Sequence, residues 1–243
     1  MGKVKEMSSY ESDFDWDVNA WSVIRWAVKY NHFQVLKELL KIKPSDVSLE
    51  DVAVMCAEFD RLDVLQYILR DRKTKPTAKM LSAACRSNAQ HTWPYLYDVC
   101  RHFLSRQEIQ KVIYDVALAG YVHIIRQFMK DYPDILKKGF WKLTHICSRG
   151  HLDVVKLLVE EGNADIHQDK NYSVLCALIN DHLELAKYLV SKGAKVFDQG
   201  DYAIKNVKVV RIVDFLVEQG LDQAKIPKWY YEKKEWESKQ KQP

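Results

Sequence analysis

Residues 150–162 read GHLDVVKLLVEEG, and the phrase returns as DHLELAKYLVSKG at residues 181–193. His151 and His182, Leu152 and Leu183, Lys156 and Lys187, Leu158 and Leu189, Val159 and Val190, and Gly162 and Gly193 hold equivalent places, 31 residues apart. Self-similarity at a fixed period marks a repeat architecture, in which one repeat cannot bury its apolar face without the next. The functional question therefore moves from an enclosed active site to the surface that stacked repeats present.

Working outward, the pattern recurs as NHFQVLKELL from Asn31, DRLDVLQYIL from Asp60, GYVHIIRQFM from Gly120 and KVVRIVDFLV from Lys208. WPYLYDVCRHFL at 93–104 fills the remaining place with a poorer match, so seven repeats of about thirty residues cover roughly 21–220. Within a phrase the apolar residues are spaced as in Leu152, Val154, Val155, Leu158 and Val159, or Phe33, Val35, Leu36, Leu39 and Leu40. That spacing makes one stripe of an amphipathic helix, with Lys and Glu on the other side.

A second, shorter helical pattern precedes most phrases: SVIRWAVKY, DVAVMCAEF, KVIYDVALA, WKLTHICSR and YSVLCALIN. Small residues such as Ala27, Ala57, Ala117, Cys147 and Ala177 recur in it and allow adjacent helix pairs to approach closely. Gly162 and Gly193 read as left-handed helix stops, and the Asp and Asn residues after them favour turns. The predicted repeat is helix, tight turn, helix, turn. The last one, between Tyr202 and Val209, has lost about a turn of its first helix.

This repeat resembles the ankyrin repeat. Gly150-His151-Leu152 stands for its Gly-His-Leu helix start, Leu158-Val159 for its leucine pair, and Gly162, Ala164 and Asp165 for its closing Gly-Ala-Asp. The resemblance is densest across 140–195 and thins outward. Trp-Lys-Leu-Thr at 141–144 and Tyr-Ser-Val-Leu at 172–175 replace the Thr-Pro-Leu-His opening, and the period is nearer 30 than 33. In style the array is similar to ankyrin proteins of large DNA viruses. The resemblance implies an all-α ankyrin-like helical-repeat solenoid of about seven irregular helix-turn-helix units. It also implies a concave strip made by the first helices and the turns before them. Trp21, Trp26, Tyr30, Met55, Phe59, Trp141, His145, Arg149 and Tyr172 map to or near that strip, and aromatics and Arg are the residue types enriched as interface anchors.

Three segments are expected: an acidic, aromatic N-terminal cap at 1–20, the array at 21–222, and a C-terminal capping helix or tail at 223–243. From 225 on, six lysines face three glutamates among Trp229, Tyr230, Tyr231 and Trp236. Trp229, Lys233 and Trp236 share a helical face, and Pro227 suits a first-turn position. Capping an open core is one reading of this tail; binding, including to nucleic acid, is the other.

Lys+Arg exceeds Asp+Glu by only 37 − 33 = 4, too little to demand an acidic partner. No apolar stretch reaches the ~18 residues of a membrane span, and the start of the chain turns acidic where a signal peptide needs its apolar core. Cys56, Cys85, Cys100, Cys147 and Cys176 form no Cys-x-x-Cys pair and sit in apolar helical patterns. Buried free thiols in a reducing, cytoplasmic compartment fit them, in a host cell's cytoplasm if the chain is viral. His145, Cys147 and His151 are spread around a helix and no second ligand cluster follows, so no metal or other cofactor is expected.

His32, His151 and His182 recur at one place in their repeats, and a residue demanded by each copy is a fold residue. Their imidazoles are expected to tie the turn backbone to the neighbouring repeat. Phosphate loops, nucleophile elbows and His-Glu-x-x-His are absent from the sequence. The expected function is non-catalytic protein–protein interaction, with a protein partner; nucleic acid and membrane are not expected, and oligomeric state is open. The alternatives are an effector enzyme with a cryptic Cys/His site, or a nucleic-acid accessory protein acting through the basic tail.

Overall fold

The computed structural model describes residues 16–42, 47–133 and 141–240. Among these the regular structure is entirely helical, without a strand. The predicted N-terminal cap falls largely on residues 1–15, outside the described residues. The chain divides into two compact parts, Met1–Asp115 and Val116–Pro243.

The first part holds helix pairs α1 (Trp16–Lys29) with α2 (Phe33–Ile42), α3 (Leu49–Glu58) with α4 (Leu62–Arg70), and α5 (Ala78–Arg86) with α6 (Thr92–Cys100). Helix α7 (Arg106–Ala119) begins there and finishes in the second part. The second part continues with α8 (Val122–Asp131), α9 (Leu143–Arg149) with α10 (Leu152–Glu160), and α11 (Gln168–Ile179) with α12 (Leu183–Ser191). It closes with α13 (Tyr202–Asn206) and α14 (Val210–Glu218), a 3-10 turn at Gln223–Lys225, and α15 (Lys228–Gln240). Seven helix pairs thus answer the seven expected repeats. The fold class is the all-α helical-repeat solenoid, with α13 as the shortened first helix of the last repeat.

Each pair has two roles, set by where its apolar residues fall. In α10, Val154, Val155 and Leu158 are fully buried, as are Val64, Leu65 and Ile68 in α4. The first helices bury small residues beside large ones such as Ile24, Met80 and Leu81: Ala27 in α1, Ala53, Cys56 and Ala57 in α3, and Ala83, Ala84 and Cys85 in α5. First helices pack on first helices, α3 on α5 and α9 on α11, while α10 packs on the second helices α8 and α12. The result within each part is two layers. A side chain no larger than Ala or Cys at the contact is what brings first helices close enough to share a core.

The turn inside six of the seven repeats is built on one left-handed residue. Asn31 (φ 57°), Asp60 (φ 58°), Gly120 (φ 92°), Gly150 (φ 78°) and Asp181 (φ 63°) occupy the first position of their phrases, and Asn88 (φ 53°) does so ahead of α6. Gly, Asn and Asp are the residues that tolerate this conformation. Gly193 (φ 100°) is the left-handed stop that its sequence suggests. Gly162 corrects that expectation. Its φ is not positive, and Asn163 (φ 53°) makes the reversal. Gly162 is required by space, because a Cβ there would lie 2.8 Å from the carbonyl oxygen of Leu158.

Candidate functional site

What the repeats need for stacking must be separated from what they leave over. His151 Nε2 lies 3.2 Å from the Leu118 carbonyl oxygen, and His182 Nε2 lies 3.1 Å from that of Ser148. A carbonyl can only accept, so both rings carry their proton on Nε2. Each imidazole ties its turn to the preceding repeat, as expected. In the first repeat His32 stacks on Trp26, at 4.5 Å between ring centroids.

The sequence pattern does not reveal that other residue types do the same work. Arg61 Nε and Nη2 donate to the carbonyls of Val28 and Lys29 at 3.0 and 2.5 Å. The Thr92 hydroxyl donates to the Ala57 carbonyl at 3.0 Å. Asp60 accepts from the backbone N–H of His91 and Thr92 at 3.0 and 2.9 Å, and its other oxygen lies 2.7 Å from His91 Nδ1. Burial raises the Asp60 pKa, but these hydrogen bonds outweigh it and hold the carboxyl below its usual range.

The kink within the first turn of α11 is also structural. Asp169, Lys170 and Asn171 are consecutively left-handed, a run that costs ~1–2 kcal/mol per residue. It is held from both sides: Asn171 bonds His167 and Asp198, while Gln199 Nε2 donates to the carbonyls of Asp169 and Lys170 at 2.9 and 3.2 Å.

On the first part, Trp21 (40% exposed), Trp26 (51%) and Tyr30 (55%) remain uncovered on or just after α1, whose contacts run to α2 and α3. Trp26 and Tyr30 lie 5.4 Å apart, and Lys29 Nζ sits 5.5 Å from the Tyr30 ring. Phe59, at the end of α3, is half-buried. Met55 is 6% exposed and packs inward, so it offers a partner nothing.

The same part carries a groove of about 540 Å³ between the first helices α3, α5 and α7. Val54, Ala78 and Val112 supply its apolar lining, and Ser82 and Asp115 meet across it at 2.5 Å. Lys79, Arg86, Lys111 and Glu108 stand around them. Sequence reasoning placed none of these residues at a site. The cue available was the small-residue run Ser82–Cys85, which marks α5 as a first helix.

On the second part, His145 and Arg149 are exposed on α9. Trp141, just before it, is 1% exposed and belongs to the interior. Tyr172 is half-buried beside Tyr202: their rings lie 6.0 Å apart and the Tyr172 hydroxyl donates across 3.5 Å. At the chain end α15 packs on α14. Tyr230 and Lys234 donate to Asp214 at 2.5 and 2.7 Å, leaving Tyr231 and Trp236 outward. Pro227 immediately precedes α15 rather than opening its first turn.

The thiols are ill suited to nucleophilic chemistry. Cys56, Cys85, Cys100 and Cys147 are buried, Cys176 is half-buried, and all are free. Burial pushes Cys100 and Cys147 up to about 12 and raises the others, so they stay protonated. Among the described residues no three His, Cys, Asp or Glu side chains gather as a metal site, and no helix is long and apolar enough to cross a membrane.

Stacked helix pairs, with backbone stitching between repeats and an uncommitted first-helix surface, define a helical-repeat protein. Residues 113–200 match the family described as ankyrin repeats, in three copies. Over that segment the chain carries ankyrin repeats. It is 24% identical over 209 residues to alpha-latrocrustotoxin-Lt1a of Latrodectus tredecimguttatus, covering 74% of this chain and 14% of that protein. It is 30% identical over 91 residues to putative ankyrin repeat protein L66 of Acanthamoeba polyphaga mimivirus, covering 37% of this chain and 15% of that protein. The chain therefore spans about one-seventh of the length of these relatives.

Proposed function

We propose that this chain is a non-catalytic protein-interaction module whose binding surface is the uncovered side of its first helices. Ankyrin repeats generally mediate protein–protein interaction, which supports the reading at the level of the family. The observation that carries it for this chain is Trp21 and Trp26 on α1 with Tyr30 just after it, three large aromatics left 40–55% exposed. Large aromatics left exposed together beside one helix are residue types expected to anchor a partner. The mechanism is preorganisation: packed helix pairs present the surface in its bound form, so little ordering entropy is lost on association. His145 and Arg149 on α9, and Tyr172 on α11, extend the proposal to the second part. Phe59 joins α1 on the first, while Met55 and Trp141 drop out because they are interior.

Capture from a cell lysate by the full chain tests this against a Trp21→Ala/Trp26→Ala/Tyr30→Ala variant of unchanged helicity. The reading expects at least one partner, identified by mass spectrometry, to be retained by the native chain and lost by the variant. Equal recovery of every partner by both would overturn it.

A further inference from the structure

The groove between α3, α5 and α7 has a charge pattern that specifies a ligand. Both of its carboxylates are already engaged. Glu108 accepts from the backbone N–H and hydroxyl of Ser105 at 2.8 and 2.6 Å, and Asp115 accepts from the Ser82 hydroxyl. The cations are not: Lys79, Arg86 and Lys111 are exposed, and no ion pair reaches them among the described residues. Lys79 and Arg86 stand seven residues apart on α5, about 10 Å along its axis, which an extended chain crosses in about three residues. Lys111 stands on the facing helix, and Val54, Ala78 and Val112 line the space between.

We infer that this groove binds an extended, acidic peptide segment of a partner protein, with carboxylates about three residues apart meeting Lys79 and Arg86 and a further one meeting Lys111. The inference rests on the interaction function proposed above and names the chemistry of one partner. Glu108 and Asp115 decide between peptide and nucleic acid. They interrupt the cations, so a backbone bearing a phosphate at each nucleotide meets repulsion where a peptide can place a neutral residue over the same carboxylate.

Fluorescence anisotropy with the full chain tests it, using a short labelled peptide of Glu at every third position in a Ser background. The native chain should bind this peptide with an affinity that falls as salt rises. Lys79→Glu/Arg86→Glu/Lys111→Glu should weaken binding at least about tenfold, as expected of three exposed ion pairs. The same variant should gain binding of the Lys/Ser counterpart, a result that an unfolded protein would not give. No binding of the Glu/Ser peptide by the native chain would overturn the inference. So would unchanged binding by the variant, or tighter binding of a phosphoserine peptide or a single-stranded oligonucleotide. Capture that still depends on Trp26 and Tyr30 while the peptide fails would leave the interaction function standing and remove only the acidic ligand.

Discussion

Gly150 and His182 show how much of this protein is decided by pairs of residues a repeat apart. Gly150 is left-handed at φ 78°, and a Cβ on it would lie 2.4 Å from the His182 ring, which reaches in to bond the Ser148 carbonyl. Gly120 and His151 repeat the arrangement with a closest approach of 2.6 Å. Gly150→Ala therefore incurs both backbone strain and a clash, ~2–4 kcal/mol together. In a His182→Ala background the clash is gone and only ~1–2 kcal/mol of strain should remain. A double-mutant cycle by urea denaturation reads that difference as coupling; strict additivity would remove His182 as the reason for this glycine. Asp60 works on the same scale. Asp60→Ala strips the caps from His91 and Thr92, at a cost of ~1–2 kcal/mol. Because its folded pKa lies below the ordinary 3.8, the Asp60 contribution is fully present above that value and is lost as pH falls through the depressed one. The difference between native and Asp60→Ala chains should accordingly shrink on acidification below about pH 4.

At the scale of elements, the second helices were the legible ones. Their apolar stripes must face a core, so the spacing of Leu152, Val154, Val155 and Leu158 fixes both the helix and its buried side. The first helices were harder. Those of five repeats share a pattern that can be read across copies, but Ala78–Arg86 combines Met80 and Leu81 with the small run Ser82–Cys85 and does not align plainly with them. The groove it borders was invisible for the same reason, since the side on which Lys79 and Arg86 stand depends on which neighbours cover the helix. Trp141 and Met55 show the converse: they look like surface anchors by residue type, and only packing shows that they are interior. The terminal helix α15 is legible as a helix, but its docking rests on the bonds of Tyr230 and Lys234 to Asp214. Burial raises the Asp214 pKa and the two donors more than offset this, so it lies below 3.8. The docking contribution is thus complete above that pH and lost as pH falls through the lowered value. Trp229 and Trp236 fluorescence should report loosening of α15 below about pH 4, preceding global loss of helicity. Coincident transitions would mean that α15 is held mainly by apolar contact.

Across the whole molecule, one division of labour links sequence to function. Second helices and turns are committed to the stack, through buried aliphatic stripes and through His151, His182, Arg61 and Thr92 bonding backbone carbonyls of the preceding repeat. First helices complete the inner layer with small residues and keep a second side on which side chains are free to vary. Repeat number and period were readable because every copy must satisfy the same packing. Binding residues were only partly readable, because they answer to a partner and differ between copies. Hydrogen exchange of the full chain, alone and saturated with the partner recovered by capture, tests this division most directly. The account predicts slowed exchange in the first helices, foremost α1, α3, α5 and α7, with α4, α6 and α10 unchanged. Protection concentrated in those second helices or in α15, with the first helices unaffected, would contradict it.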